Sequence, residues 1–360
     1  MRNKKGKVAL KIIFYLFIIA FAAIAVDAFL NKKFINQESI SEYDNRALKE
    51  LNMVYGFDGE AGNDSFWKDF KLSEHPVLLI SKESHYSYLI NPTQKISSFF
   101  TKKLKDFEKI SSSNHNFDVY RISRLCPKIL KEKLMGGNFN TVGKVTSVMG
   151  NDVYYIKFNS DNFTKKYSSN YLVNFLYHES FHYFMQNNWL GGDRFSGELN
   201  ESDMNLLYEK LKLLDEAKNL IKNNDKDKLI EVSKKIVEVE EKRKNTNPEY
   251  VEKENMMETI EGTATYMGIR ASHVVDYDFG PMYFDNVKDI PFSDVIPTFK
   301  EGKLDEGFLR DRFPYETGAQ ITLILDELDK EHKWQIYLNE QTINNSRTLI
   351  DALKETLKVN

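Results

Sequence analysis

Residues 12–26 run through Ile, Phe, Tyr, Leu, Ala and Val without a charged side chain. A helix apolar on every side has no face to offer water, which excludes the amphipathic core helix of a soluble domain. With Lys11 and Asp27 allowed at the ends, residues 8–30 are long enough to cross a hydrocarbon layer of about 30 Å at about 1.5 Å per residue. The flank before it holds Arg2, Lys4, Lys5, Lys7 and Lys11 and no acid. The positive-inside rule keeps that flank in the cytoplasm and sends everything after Leu30 outward. The favoured reading is an uncleaved single-pass anchor in the cell membrane. Small residues at Ala23, Ala25 and Ala28 leave a cleaved signal peptide, and secretion, as the alternative.

The remaining chain can bury a sizeable core, since 41% of the 360 residues are hydrophobic and 13% aromatic. One large or two modest domains are expected. Lys and Arg (50) nearly balance Asp and Glu (53) for a formal net charge of -3. No global basic field therefore draws the chain to nucleic acid. The single cysteine, Cys126, excludes an intrachain disulfide, a Cys-rich zinc finger and an iron–sulfur cluster. It is expected to be buried. Any metal site has to be built from His and carboxylates.

Four segments alternate as strands do, at 75–80, 85–90, 117–122 and 153–158. The last reads as an edge strand. A helix is expected over 93–110, with turns at Gly136-Gly137, at Gly150-Asn151 and in the acidic stretch 58–64. From Ser168 the period becomes helical. Ser168-Ser169-Asn170 offers an N-cap for a helix over 171–190, which Gly191-Gly192 would stop. Two charged stretches, 202–223 and 226–244, read as an antiparallel helical hairpin with solvated Lys/Glu faces. A further helix is expected over 249–271. The boundaries are 1–30 anchor or signal segment, 31–52 stalk, 53–165 an α+β subdomain, and 166–360 a helical part carrying the hairpin at about 202–244.

His178-Glu179-Ser180-Phe181-His182 lies on one of these helices. Histidines four apart project from one face, a turn apart, which suits two corners of a tetrahedral zinc site. Glu179 lies about 100° round the helix, too far for a ligand but within reach of a water in an open coordination place. A buried His pair satisfied by local hydrogen bonds is the competing account. It fits poorly among Phe175, Leu176, Phe181 and Phe184, where unpaired polar groups are costly. A third ligand is needed, and no third His follows at short range. Glu261, in Glu258-Thr259-Ile260-Glu261-Gly262-Thr263-Ala264-Thr265-Tyr266, is the candidate. The small residues after it would let its helix pack closely on the first. Glu258, one turn earlier, is either a carboxylate that orients a ligand His or an exposed helix side chain.

Glu261-Gly262-Thr263-Ala264-Thr265-Tyr266 resembles the E-G-x-A-x-Y form of the gluzincins, zinc peptidases whose second helix supplies a Glu ligand. That resemblance implies that Glu261 completes a Zn2+ site with His178 and His182, and that the fold is zincin-like α+β: a small mixed sheet, the H-E-x-x-H helix and a helical C-terminal part. Downstream, Pro314-Tyr315-Glu316-Thr317-Gly318-Ala319 is similar to the Y-x-K-G-A segment of the aminopeptidase N and glycyl aminopeptidase families. It implies that Tyr315 donates to the oxyanion of a tetrahedral intermediate. Thr317 replaces those families' usual lysine. Their G-x-M-E-N segment, whose Glu grips a free amine, has no counterpart; Val148-Met149-Gly150-Asn151-Asp152 is the nearest stretch and lacks the Glu. The expectation is an extracytoplasmic zinc peptidase acting on peptides or proteins, with Glu179 as general base. The rivals are an aminopeptidase with an unrecognised amine anchor and a non-catalytic zinc-containing surface binding or scaffold protein.

Overall fold

The computed structural model describes residues 2–36, 40–60, 66–84, 86–104, 117–134, 136–189 and 198–359. Residues 85, 105–116 and 190–197 lie outside them, and with them His85, His115 and the expected Gly191-Gly192 stop. The chain forms two compact units: Met1–Lys49 with Glu74–Asn140 and Val145–Asn159, and Glu50–Ser73 with Thr141–Lys144 and Ser160–Asn360.

The first unit starts with helix α1, Arg2–Ile35. Its segment Lys11–Ile35 is long and apolar enough to cross a membrane or to act as a signal sequence, and Phe17, Phe21 and Ile24 stand exposed. The C-terminal turn of α1, by contrast, is docked. Asn31 Nδ2 donates to Phe99 O at 2.8 Å, and Tyr86 Oη donates to Phe34 O at 2.6 Å. The buried Arg121 guanidinium donates to Ile35 O at 2.7 Å, setting a cation on the negative end of the helix. Residues 31–52, read as a stalk, are mostly helical: α2 spans Glu42–Glu60 and buries Ala47, Leu48, Leu51, Val54 and Tyr55. Residues 58–60 thus close a helix rather than form the expected turn; 61–64 lie outside the described residues.

The unit's sheet has six strands in the order β3-β4-β2-β1-β6-β5. They are β1 Val77–Ser81, β2 Ser87–Ile90, β3 Thr101–Lys103, β4 Val119–Ile122, β5 Thr146–Val148 and β6 Asn151–Phe158. Only β1 and β6 run parallel; the other neighbours are antiparallel. Leu78, Ile80, Leu89, Ile122, Val153 and Tyr155 pack on one face with Cys126, which is buried as expected. All four expected strands form. The helix expected over 93–110 does not appear in its described part, where β3 lies instead. Nor is β6 an edge. β5 pairs with its start through a turn at Met149 (φ 53) and Gly150 (φ +81), the left-handed pair a two-residue hairpin requires. Farther along, Lys157 N donates to Asn138 O at 2.7 Å and covers the strand's outer side. A three-residue strand is too short to show a period, so β3 and β5 leave no mark in the sequence. Short helix α3, Leu130–Leu134, also belongs to this unit.

The second unit is helical: α4 Asp161–Thr164, α5 Leu172–Phe184, α6 Glu201–Lys222, α7 Lys226–Thr246, α8 Pro248–Val274, α9 Val295–Lys300, α10 Phe313–Leu328, α11 Lys333–Asn339 and α12 Leu349–Val359. α8 is its spine and packs on α5, α7, α10 and α12. At the α8–α10 crossing, Gly262 meets Gly318 so closely that a Cβ on either would overlap the other helix's backbone. The small residue after Glu261 therefore serves the α10 contact, not the expected contact with α5. The α5–α8 approach is set at Gly268, where a Cβ would stand 2.9 Å from Asn174 O.

α5 is shorter than expected and passes into a 3-10 turn, Gln186–Asn188. Tyr171 is its N-cap and makes no side-chain cap, so the expected Ser168–Asn170 cap is not used. α6 and α7 do form a hairpin, capped by Asn200 and Asp225. Its charged faces are not all solvated, however. Asp203, Lys210, Glu240 and Arg243 are buried, together with Glu254 and Glu258 of α8.

Candidate metal centre

His178 and His182 lie on α5 and Glu261 on α8, and one donor atom from each falls within 4.8 Å of the others. The back of α5 is fixed by aromatic packing: the Phe181 ring meets the fully buried Trp67 edge-on at 4.7 Å, and Trp67 meets Trp334 at 5.1 Å. The imidazoles are thereby presented to α8. His182 Nε2 lies 3.1 Å from His178 Nε2 and 3.2 Å from Glu261 Oε2, and His178 Nε2 lies 3.5 Å from the same oxygen. Four-coordinate zinc at about 2.0–2.1 Å from each donor has tetrahedral edges of about 3.3 Å, so these separations describe one face of such a site.

The protonation of His182 follows from its neighbour. Gln186 Nε2 donates to Ile260 O at 2.9 Å and to Thr263 Oγ1 at 2.8 Å. Thr263 Oγ1 in turn donates to Thr259 O at 2.7 Å. With its amide nitrogen so committed, Gln186 turns Oε1 toward His182 Nδ1, 2.5 Å away, and can only accept there. Nδ1 therefore carries a proton, and in the neutral ring the Nε2 lone pair faces His178 and Glu261. A proton on His178 Nε2 can serve one of these acceptors and not both. Glu261 Oε2 is buried, and its polar neighbours among the described residues are the two imidazole Nε2 atoms, neither in strict hydrogen-bond geometry. Two imidazole nitrogens and a buried carboxylate oxygen that converge in this way could hold a divalent cation.

The electrostatics draw positive charge, whether a proton or a cation, to the same place. Burial opposes ionisation of Glu261, yet the two imidazoles hold its carboxyl far below the usual carboxylate range. Burial also opposes charging of His182, but Glu261 and then Glu179 raise it above its ordinary value. The site thus attracts positive charge. Glu179 is pushed up by burial, with His178 and His182 pulling it back.

His178 and Glu179 line a cavity of about 280 Å³ together with Phe175, Arg312 and Tyr315. The Tyr315 ring lies parallel to the His178 ring, centroids 5.8 Å apart, and the Arg312 guanidinium sits 5.0 Å above Tyr315. Arg312 ends a π-helical turn, Phe308–Arg312, of the kind that often marks a functional site. Its Nη2 pairs with Glu316 Oε1 at 2.5 Å, while Nη1 is buried without a hydrogen-bond partner among the described residues. His273, which could also have faced the cavity, binds Phe279 O through Nε2 at 2.9 Å.

Glu258 is not exposed and does not orient a ligand histidine. Lys210 Nζ donates to both its oxygens at 2.9 and 3.2 Å, and Thr317 hydrogen-bonds it as well. The orienting part falls to Gln186, which the sequence reading missed. His178, His182 and Gln186 are spaced by four, and that spacing was the available signal. Val148 and Asn151, near the absent amine-binding segment, lie in the β5–β6 hairpin of the other unit.

No protein-family model, curated protein or solved structure matches this chain.

Proposed function

We propose that this chain is an extracytoplasmic zinc-dependent peptidase of the gluzincin kind, held at the membrane by α1. The observation that carries the reading is the convergence of His182 Nε2, its ring oriented by Gln186, with His178 Nε2 and the buried Glu261 oxygen. His178, His182 and Glu261 would hold the ion, a His2Glu set that leaves a fourth place open. When bound there, zinc lowers the pKa of a coordinated water toward about 7 and polarises a carbonyl. Glu179 accepts the proton as the water attacks the peptide carbonyl and delivers it to the leaving amine. Burial favours that exchange by raising the Glu179 carboxyl. Tyr315 donates to the oxyanion, and Arg312 Nη1 is a second donor in the same wall.

A scaffold with a structural ion has no use for a base beside the cavity, and Glu179 favours catalysis over that role. The G-x-M-E-N segment by which the aminopeptidase families grip a free amine has no counterpart in this sequence, which favours cleavage within peptides; Asp311 is the acid in the cavity wall that the rival aminopeptidase reading would use for the amine. The test is digestion of a peptide library by the detergent-solubilised full chain. Cleavage should vanish with a chelator and fall by about 10²–10⁴ in Glu179→Gln at unchanged metal content. Cleavage by Glu179→Gln at the wild-type rate would remove the reading.

A further inference from the structure

A second cavity, of about 410 Å³, lies wholly within the first unit. Its charged lining consists of Lys82, Arg124, Lys133 and Lys157, with no acid among the lining residues. Glu132, whose charge reaches Lys157, is not part of the wall. Among the described residues neither Lys82 nor Arg124 forms an ion pair, and Lys157 Nζ turns to the carbonyls of Lys133 and Gly136. Four cations facing one space repel each other. Burial pulls the Lys133 ammonium down to about 8, with Cys126 opposing and Arg124 adding to the shift, and burial and then Lys82 lower Lys157. An anion in the cavity relieves that repulsion.

Two further observations say which anion. The Arg124 guanidinium lies 4.3 Å over the Phe34 ring, in the last turn of α1, where Lys32 and Lys33 are exposed. If α1 spans a bilayer, that turn is at the headgroup level and brings Arg124 with it. The remaining wall is apolar, and two of its members on α3, Leu130 and Leu134, are 47% and 74% exposed. Cations beside exposed leucines match an anionic amphiphile at a membrane interface, where basic residues draw acidic headgroups. A site for a free phosphate has no need of the leucines.

We infer that this cavity binds the phosphate headgroup of an anionic membrane lipid: Arg124, Lys82, Lys133 and Lys157 surround the phosphate, and Leu130 and Leu134 meet the lipid's apolar portion. The inference rests on the membrane reading of α1 and is independent of the metal centre.

The test is titration of the full chain in neutral detergent with dihexanoyl-phosphatidylglycerol, dihexanoyl-phosphatidylcholine and inorganic phosphate, followed by calorimetry. Saturable binding of the phosphatidylglycerol is expected, with little of the other two. Lys82 and Arg124 are exposed, so the double variant Lys82→Gln/Arg124→Gln should fold, which its thermal midpoint checks. At about fivefold for each charge removed, it should bind roughly thirtyfold more weakly. Leu134→Ser, also at an exposed position, should weaken the lipid and leave phosphate unaffected. Equal binding of phosphatidylcholine, phosphate binding as tight as the lipid, or a double variant that binds like wild type would each overturn the assignment.

Discussion

Gly262 on α8 and Gly318 on α10 touch backbone to backbone, one residue past Glu261 and three past Tyr315. A single crossing therefore sets the distance between a candidate ligand and a candidate oxyanion donor. Gly262→Ala must push the helices apart and should cost about 1–3 kcal/mol or more of stability, as overpacking does. It should also weaken metal binding, because Glu261 moves with α8. Denaturant unfolding and a competitive zinc titration on the same preparation check both. A variant as stable as wild type would mean that the crossing yields more easily than its geometry indicates.

Gln186 does for His182 what one of the two readings of Glu258 had Glu258 do for a histidine. Gln186→Ala removes the acceptor that holds the Nδ1 proton, and metal affinity should fall by about 10- to 100-fold. Glu258→Gln should change that affinity far less. The opposite order, measured by zinc titration, would show that the support of His182 is misassigned.

Glu258 carries a pH signature. Lys210 is shared by Glu240, Glu254 and Glu258 at 3.1, 3.9 and 2.9 Å, and Arg243 pairs with Asp203, Glu240 and Glu254. Two cations thus face four carboxylates. Burial opposes charging Lys210, yet this acidic excess raises its ammonium above the ordinary value. Glu258 moves the other way from a simple partner: burial first, then Lys210 working against Glu254 and Glu240, leaves its carboxyl raised from 4.5 to about 7. Between those values the folded chain binds more protons than the unfolded one, so Glu258 makes stability fall as pH rises through that window. Glu258→Gln should gain on wild type from about pH 5 to about pH 7.5, by on the order of 1–3 kcal/mol. Unfolding midpoints at the two pH values decide it, and a constant gap between the proteins would contradict it.

Local pattern explains what the sequence revealed. The four long strands alternate over enough residues to be seen, and His178, His182 and Glu261 stand out because their spacing and flanking small residues are local features. What escaped depends on distant packing. Lys210 and Arg243 read as a solvated face because nothing near them in the chain reveals that Glu254 and Glu258 of α8 close over them. Gln186 lies beyond the end of α5, and its role exists only because Ile260 and Thr263 hold its amide. The turn that docks α1 through Asn31 and Ile35 lay past the boundary drawn at Leu30.

Whether His178, His182 and Glu261 hold an ion is decided by the metal content of the purified full chain. Elemental analysis of protein prepared without chelator or added metal should find about one zinc per chain. Glu179→Gln should retain it, and His178→Ala, His182→Ala and Glu261→Ala should lose it while remaining folded by circular dichroism. Wild type without zinc that also fails to take it up on titration, or ligand variants that keep it, would contradict the account.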